Sequence, residues 1–279
     1  MPGDGGETMS RDLAGVFDTH VHTAPDVRPR KVTAYELCSA AVEAGMAGVM
    51  LKCHHASTAM VAGALRQAFP GLRVMGSIVL NRAVGGLNVE AVDAAIRMGI
   101  QEVWLPTLDA ENERVYRGQP GTGLEVLDER GAVRPELMEI LELMAAAEVI
   151  LGTGHLSAAE IEVVVAAARE RGVRRIFVTH PESNFQRLPV EFQLRIRGEG
   201  LYFERCFVRE GFSASWEVMA AGIRTVGVES TIFATDLGQV ESPHPLDGLR
   251  EGRQRLRDLG FGESELRRMT IENAKEALR

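Results

Sequence analysis

Residues 149–180 read VILGTGHLSAAEIEVVVAAARERGVRRIFVTH, and they hold one complete turn of the pattern that decides the fold. The apolar run at 149–151 predicts a short strand. Ser157 followed three residues later by Glu160 is a capping box that opens a helix, and Gly172 stops it. A second apolar run at 175–178 follows and leads into His180. Strand, helix, glycine, short gap and strand together make one β–α–β unit of a parallel sheet.

The same rhythm extends in both directions. Strands are predicted at 16–18, 48–52, 73–79, 102–105, 201–203 and 231–234, besides the two above. Thr33 and Ser57 stand before amphipathic runs, and Gly45, Gly99 and Gly222 mark further helix ends. GVMLK at 48–52 and RIFVTH at 175–180 are nearly continuous in apolar residues, as expected of strands covered on both faces. Eight such strands predict an α/β fold of the (β/α)₈ TIM-barrel type. The polar, glycine-rich start predicts a loose tail over residues 1–12, with one barrel domain over 13–279. Residues 109–134 break the rhythm after the fourth strand. A loop there emerges on the face where barrel active sites form, so it is a lid, a selecting loop or a tolerated surface excursion.

Composition narrows the function. A net charge of −8 lacks the clustered cations that nucleic-acid binding needs, and aromatics at 5% provide few stacking platforms. A small molecule is the expected ligand. No run approaches the roughly 18 apolar residues of a membrane span, and residues 1–10 lack the basic start and apolar stretch of a secretory signal. The odd set Cys38, Cys53 and Cys206 reads as buried, reduced thiols of a cytoplasmic protein. Assembly into a homo-oligomer is compatible with this composition.

Six of the seven histidines follow closely on predicted strands: His20, His22, His54, His55, His155 and His180. In a parallel barrel the carboxyl ends of all strands meet at one face, so residues distant in sequence converge there. Imidazoles gathered with a carboxylate are what Zn²⁺ or a similar divalent ion binds. His20 and His22, one residue apart on an extended strand, point to one side. His155 lies 25 residues before His180, one β–α unit, and Asp236 lies 56 residues after it, two units. The expected ligands are therefore His20, His22, His155, His180 and Asp236.

The segments FDTHVHTAPD, LGTGHLS, FVTHPE and FATDLG at these positions resemble the amidohydrolase superfamily, whose pattern is H-x-H on the first strand, single histidines on the fifth and sixth, and an aspartate on the eighth. MTIENAKEAL near the end is similar to the closing stretch of that superfamily. HTAPDVRPR, VMLKCHH, SIVLN, GGLN and VWLPT are more closely similar to an uncharacterised amidohydrolase-related family of unknown function. The resemblance implies a metal-dependent hydrolase acting on a small-molecule amide, ester or lactone-type bond, or a related decarboxylation. Many members place a carboxylated lysine or a glutamate at the end of the fourth strand to bridge two metals. Here that strand ends WLPT, which favours one ion, zinc first, with manganese or iron as the other choices.

Roles follow from chemistry. Asp236 ligates the ion and takes a proton from water; its other reading is a helix N-cap. His180 and His155 ligate or polarise a carbonyl. Lys52 and His54 share one face of the second strand, whereas His55 takes the other; one of the pair could reach the ion or an anionic group of the substrate, a snorkelling lysine and a rim histidine being the equal alternative. Arg28 and Arg30 could clamp a carboxylate or phosphate, surface charge being their plainer reading. Asn81, Thr107, Glu204 and Arg205 occupy strand ends and line the pocket. Asp18 is expected to orient a ligand imidazole. Two other functions stay open: a phosphoesterase resembling the polymerase-and-histidinol-phosphatase class, suggested by DTHVHTAPD and the Lys-Cys-His-His run, and a barrel that only binds a ligand.

Overall fold

The computed structural model describes residues 11–279. The tail expected over 1–12 lies almost wholly outside the described residues; Asp12 is paired with Arg250 at 2.6 Å. The staves are β1 (Phe17–His22), β2 (Gly48–Lys52), β3 (Arg73–Met75), β4 (Ser77–Val79), β5 (Glu102–Trp104), β6 (Ile150–Gly152), β7 (Ile176–Thr179), β8 (Leu201–Cys206) and β9 (Thr231–Ala234). All pairings are parallel, in the order β1-β2-β3 and β4-β5-β6-β7-β8-β9. The expected third strand is thus two short pieces. They part at Gly76, where a Cβ would come within 3.1 Å of Ala59, so the covering helix packs on bare backbone. The ladder is also interrupted between β1 and β9. Backbone bonds cross that seam beyond the end of β9, Asp236 N to His20 O at 2.7 Å and His22 N to Leu237 O at 2.8 Å.

Helices α1 (Ala34–Glu43), α2 (Ala59–Ala68), α3 (Val89–Arg97), α4 (Glu111–Tyr116), α5 (Pro135–Ala147), α6 (Ala158–Glu170), α7 (Val190–Ile196), α8 (Trp216–Val226) and α9 (Pro245–Asp258) follow in chain order around the staves. The capping boxes at Thr33–Glu36 and Ser157–Glu160 are both formed. Gly222 does not end a helix. It lies inside α8, where its bare face leaves room for the buried Arg205 guanidinium, and the helix runs on to a cap at Gly227. Asp236 caps no helix either, since α9 begins after His244.

Strand alternation sorts the core. Val49, Leu51, Val103, Phe203 and Phe233 face outward and meet the helices in two large apolar clusters. Phe17, Met50, Met75, Ile150, Phe177, Tyr202 and Ile232 face inward and plug the lower barrel, together with Ala274, Ala277 and Leu278 of the closing segment. Two residues further along the inward rows come Lys52, Glu204 and Ala234, and beyond these the candidate site. The interior therefore changes from apolar to charged within one pleat.

Candidate metal centre

β1 extends to His22, further than expected, and its register against β2 slips between Asp18 and Val21. This bulge re-aims the strand so that adjacent residues Thr19 and His20 both reach Glu204, at 2.6 and 2.9 Å. His20 Nε2 lies 3.0 Å from Asp236 Oδ1, and His22 Nε2 lies 3.1 Å from the same oxygen. Asp236 Oδ2 accepts from Arg209 Nη2 at 2.6 Å. Across the barrel mouth, His155 Nε2 and His180 Nε2 face each other at 3.2 Å. His20 and His180 have ring centroids 6.0 Å apart. The five residues expected to ligate are thus buried and gathered at one end of the barrel.

Two of them are held in uncommon backbone shapes. His180 has φ +26° and Asp236 has φ +51°, the left-handed region that side chains other than glycine rarely adopt. Each is pinned by a backbone bond to a neighbouring stave, His180 N to Glu204 O at 2.8 Å and Asp236 N to His20 O at 2.7 Å. Such strain persists where surrounding structure over-determines it, commonly at functional sites.

Lys52 is fully buried, with Nζ 3.0 Å from His20 Nε2 and 3.7 Å above the centre of the Trp104 ring. Its place is deeper than that of a substrate clamp. His54 stacks on His22 at 4.8 Å between centroids and is tied to Thr107 Oγ1 at 2.8 Å, which Asn81 in turn holds at 2.7 Å. His55 takes the opposite direction and meets Asp26 at 3.2 Å. Arg30 bonds Asp26 at 2.6 Å and stands 3.3 Å from His22 Nδ1. Arg28 is exposed on the rim.

Two expected partners are elsewhere. Asp18 accepts from the His20 backbone N–H and from Thr235, not from a ring; Glu204 is the carboxylate on the His20 imidazole. The reason is the bulge, which turns His20 toward β8. Arg205 points outward, away from the pocket, to Glu182 and to Gln193 at 2.7 Å. Alternation along LYFERC sets Glu204 and Arg205 on opposite faces of β8, but the text alone does not mark which of the two faces inward. Glu113, Gln186 and Arg209 had no signal in the text: Glu113 reaches the site from the short helix α4 of the insertion, the other two from loops. Glu113 bonds His155 Nδ1, and Gln186 Oε1 is 3.0 Å from His180 Nδ1.

Burial depresses the histidines: His22 falls to about 3, and His54 and His180 lie well below the usual imidazole range. His20 is the exception. Burial and the Lys52 ammonium push it down, but Asp236 and Glu204 carry it above its ordinary value. Burial raises Asp236, yet the His20 and Arg209 charges hold it well below the carboxylate range. At neutral pH the cluster is therefore an ionised carboxylate among mostly neutral imidazoles. It opens into a cavity of about 650 Å³ whose wall includes His54, His155, Arg28, Arg30, Arg117 and Arg209.

The fold is that of the amidohydrolase-type α/β barrels. It is similar to the probable dipeptidase PvdM from Pseudomonas aeruginosa, with a TM-score of 0.69 at 10% identity over 96% of this chain and 95% of that one. An amidohydrolase from Pseudomonas aeruginosa gives 0.63 at 13% identity, covering 96% of each chain. The phosphotriesterase homology protein from Escherichia coli, solved with phosphate in its active site, gives 0.63 at 14% over 96% of this chain and 100% of that one. No curated protein matches the sequence. The chain belongs to DUF6282, a family of unknown function, whose model matches residues 15–204.

Proposed function

We propose that this chain is a metal-dependent hydrolase that directs water at an amide, ester or lactone-type bond of a small, anionic molecule, with decarboxylation as the neighbouring chemistry. The observation that carries the reading is the meeting of His20 Nε2 and His22 Nε2 on one Asp236 oxygen, at 3.0 and 3.1 Å. The donor set of imidazole nitrogens and a carboxylate oxygen suits zinc, with manganese or iron as alternatives. That a cation fits is supported by Lys52, whose Nζ is 3.0 Å from His20 Nε2 with the Asp236 and Glu204 charges around it. His20, His22 and Asp236 would hold the ion on one side, and His155 and His180 would complete the set. When bound, the ion supplies Lewis acidity toward water and a substrate carbonyl.

The protein's own groups do the rest. Asp236 faces the cavity as a carboxylate and takes the proton of the attacking water. His180, neutral through burial and held at Nδ1 by Gln186, has one free nitrogen, Nε2: it serves either as a ligand or, where the ion does not take it, to polarise the carbonyl or pass the proton on. Glu204 keeps His20 turned by its bond to Nδ1. Phe185 and Phe212 pack edge-on against His180, at 5.4 and 5.5 Å between centroids, and exclude water from that side. Arg28 forms no ion pair among the described residues, so of the two expected clamps it is the uncommitted one; Arg30 is engaged by Asp26. His54 lines the wall next to them. Three buried, unpaired thiols suit the reducing cytoplasm, where we place the protein. Among the described residues no helix is long and apolar enough to cross a membrane.

A metal phosphoesterase is the second reading, favoured by the four arginines around the cavity, which suit phosphate as well as carboxylate. Elemental analysis of the purified protein, followed by a substrate panel on the loaded enzyme, separates the cases. One equivalent of zinc-like metal with turnover of a carboxylate-bearing amide, ester or lactone supports the hydrolase. Two or three equivalents with phosphoester turnover favour the second reading, and protein that binds no metal sinks both.

A further inference from the structure

The insertion after β5 delivers a carboxylate to the histidines that the end of the strand does not supply. Glu113 in α4 is 1% exposed; its Oε2 bonds His155 Nδ1, and its Oε1 accepts from Arg117 Nε at 2.7 Å. The helix is too short to hold itself in place, and several bonds fix it. Asn112 Nδ2 donates to the carbonyls of His155 and Phe185, each at 3.0 Å. Glu111 collects the backbone N–H groups of Gly121 and Gly123, both at 2.6 Å. On the other side, the His155 ring lies against Phe185 at 4.5 Å between centroids. One imidazole is thus clamped by a loop that is absent from the repeating β–α pattern.

We propose that Glu113 is a positioning residue for the metal centre: it accepts the Nδ1–H of His155, which fixes the tautomer that leaves Nε2 bare and aimed at His180. The inference rests on the reading that His155 is a ligand. Glu113 is not itself placed as one, because it meets Nδ1 while Nε2, on the far edge of the ring, faces His180 at 3.2 Å. Carboxylate partners of ligand histidines act in this way, and their loss typically weakens metal binding about 10–100-fold. The insertion is then part of the metal site, and its Arg117 ties the same carboxylate to the cavity wall.

The test uses the full chain with Co²⁺ as the probe, comparing wild type, Glu113→Gln and Glu113→Asp by competition with a chromophoric chelator. Expected is a loss of affinity of about 10–100-fold in Glu113→Gln, an altered cobalt visible band, and partial recovery in Glu113→Asp. The melting temperature of each metal-free variant separates this loss from a loss of folding. In the unsubstituted protein, ¹⁵N shifts of the His155 ring should show the Nδ1–H tautomer, a readout that needs no variant. Wild-type affinity and spectrum in Glu113→Gln, or an Nε2–H tautomer in the metal-free protein, would overturn the proposal. Wild-type protein that takes up no cobalt would instead overturn the underlying metal reading.

Discussion

Asp236 bears several contacts at once. One oxygen meets His20 and His22, and the other meets Arg209. Its asparagine variant keeps the shape and one acceptor oxygen but loses the charge and the basicity. Asp236→Asn is therefore expected to lower kcat by a factor of about 10²–10⁴, the usual worth of a general base, while metal content stays close to that of the wild type. Unchanged turnover would remove the assigned role. Glu102 behaves differently. It is fully buried on β5, and both its oxygens lack a hydrogen-bond partner among the described residues. Burial and then the Glu204 charge raise it well above the ordinary carboxylate range. An acid raised in the folded state binds its proton more tightly there than when unfolded. Its contribution is thus most favourable below the unfolded value of about 4.3 and is lost as pH rises toward the folded value. Glu102→Gln removes that dependence. The melting temperature of the metal-free variant should exceed that of the wild type by more at pH 8 than at pH 5, and an equal gap at both would contradict the raised carboxyl.

At the scale of elements, the site depends on backbone that leaves no room for side chains. Gly154, just before His155, has φ +61°, and a Cβ there would lie 2.5 Å from the Pro106 carbonyl oxygen. Gly238, two residues after Asp236, has φ +126°, and a Cβ would overlap the His22 carbonyl. Gly154→Ala and Gly238→Ala should each cost more than about 2 kcal/mol and displace a ligand strand end. Gly131→Ala provides the control. Its φ of +78° adds strain, but no atom of the described residues lies within 4 Å of the added Cβ, so it should cost only about 1 kcal/mol and leave metal uptake intact. Thermal melts with metal titrations check all three; equal loss of metal uptake in the control would show that local crowding is not the cause. The bulge in β1 belongs to this scale as well, because it alone brings both Thr19 and His20 onto Glu204.

For the whole molecule, the metal reading makes folding and ligation one equilibrium. Its ligands come from β1, from the ends of β6 and β7, and from just beyond β9, so an ion ties together staves on both sides of the β1–β9 seam, where the ladder is broken. An ion that binds only the folded chain adds about 2.7 kcal/mol at a free concentration of 100 times Kd. Zinc should accordingly raise the melting temperature by several degrees, and a chelator should reverse it. A melt unaffected by either would count against a site spanning the seam. The net charge of −8 leaves the arginines around the cavity as a local exception, which fits a small anionic ligand drawn into one mouth rather than a polyanion spread over a surface.

The barrel was legible in the repeating strand, helix and glycine pattern, because burial on both faces forces apolar strands and capping chemistry marks where helices begin. The spacing of His155, His180 and Asp236 in whole β–α units likewise located three strand ends from local text. Four features lay beyond the sequence, for reasons of geometry. The third stave parts where a helix meets Gly76. The slip in β1 that gives His20 to Glu204 instead of Asp18 depends on the pairing with β2. Alternation sets Arg205 opposite Glu204, but only the packing of β8 decides that Arg205 is the one turned outward, to Glu182 and Gln193. Glu113 arrives from the short helix of the insertion and Arg209 from a loop, neither with a strand-end spacing, and only the folded chain brings the one to His155 and the other to Asp236.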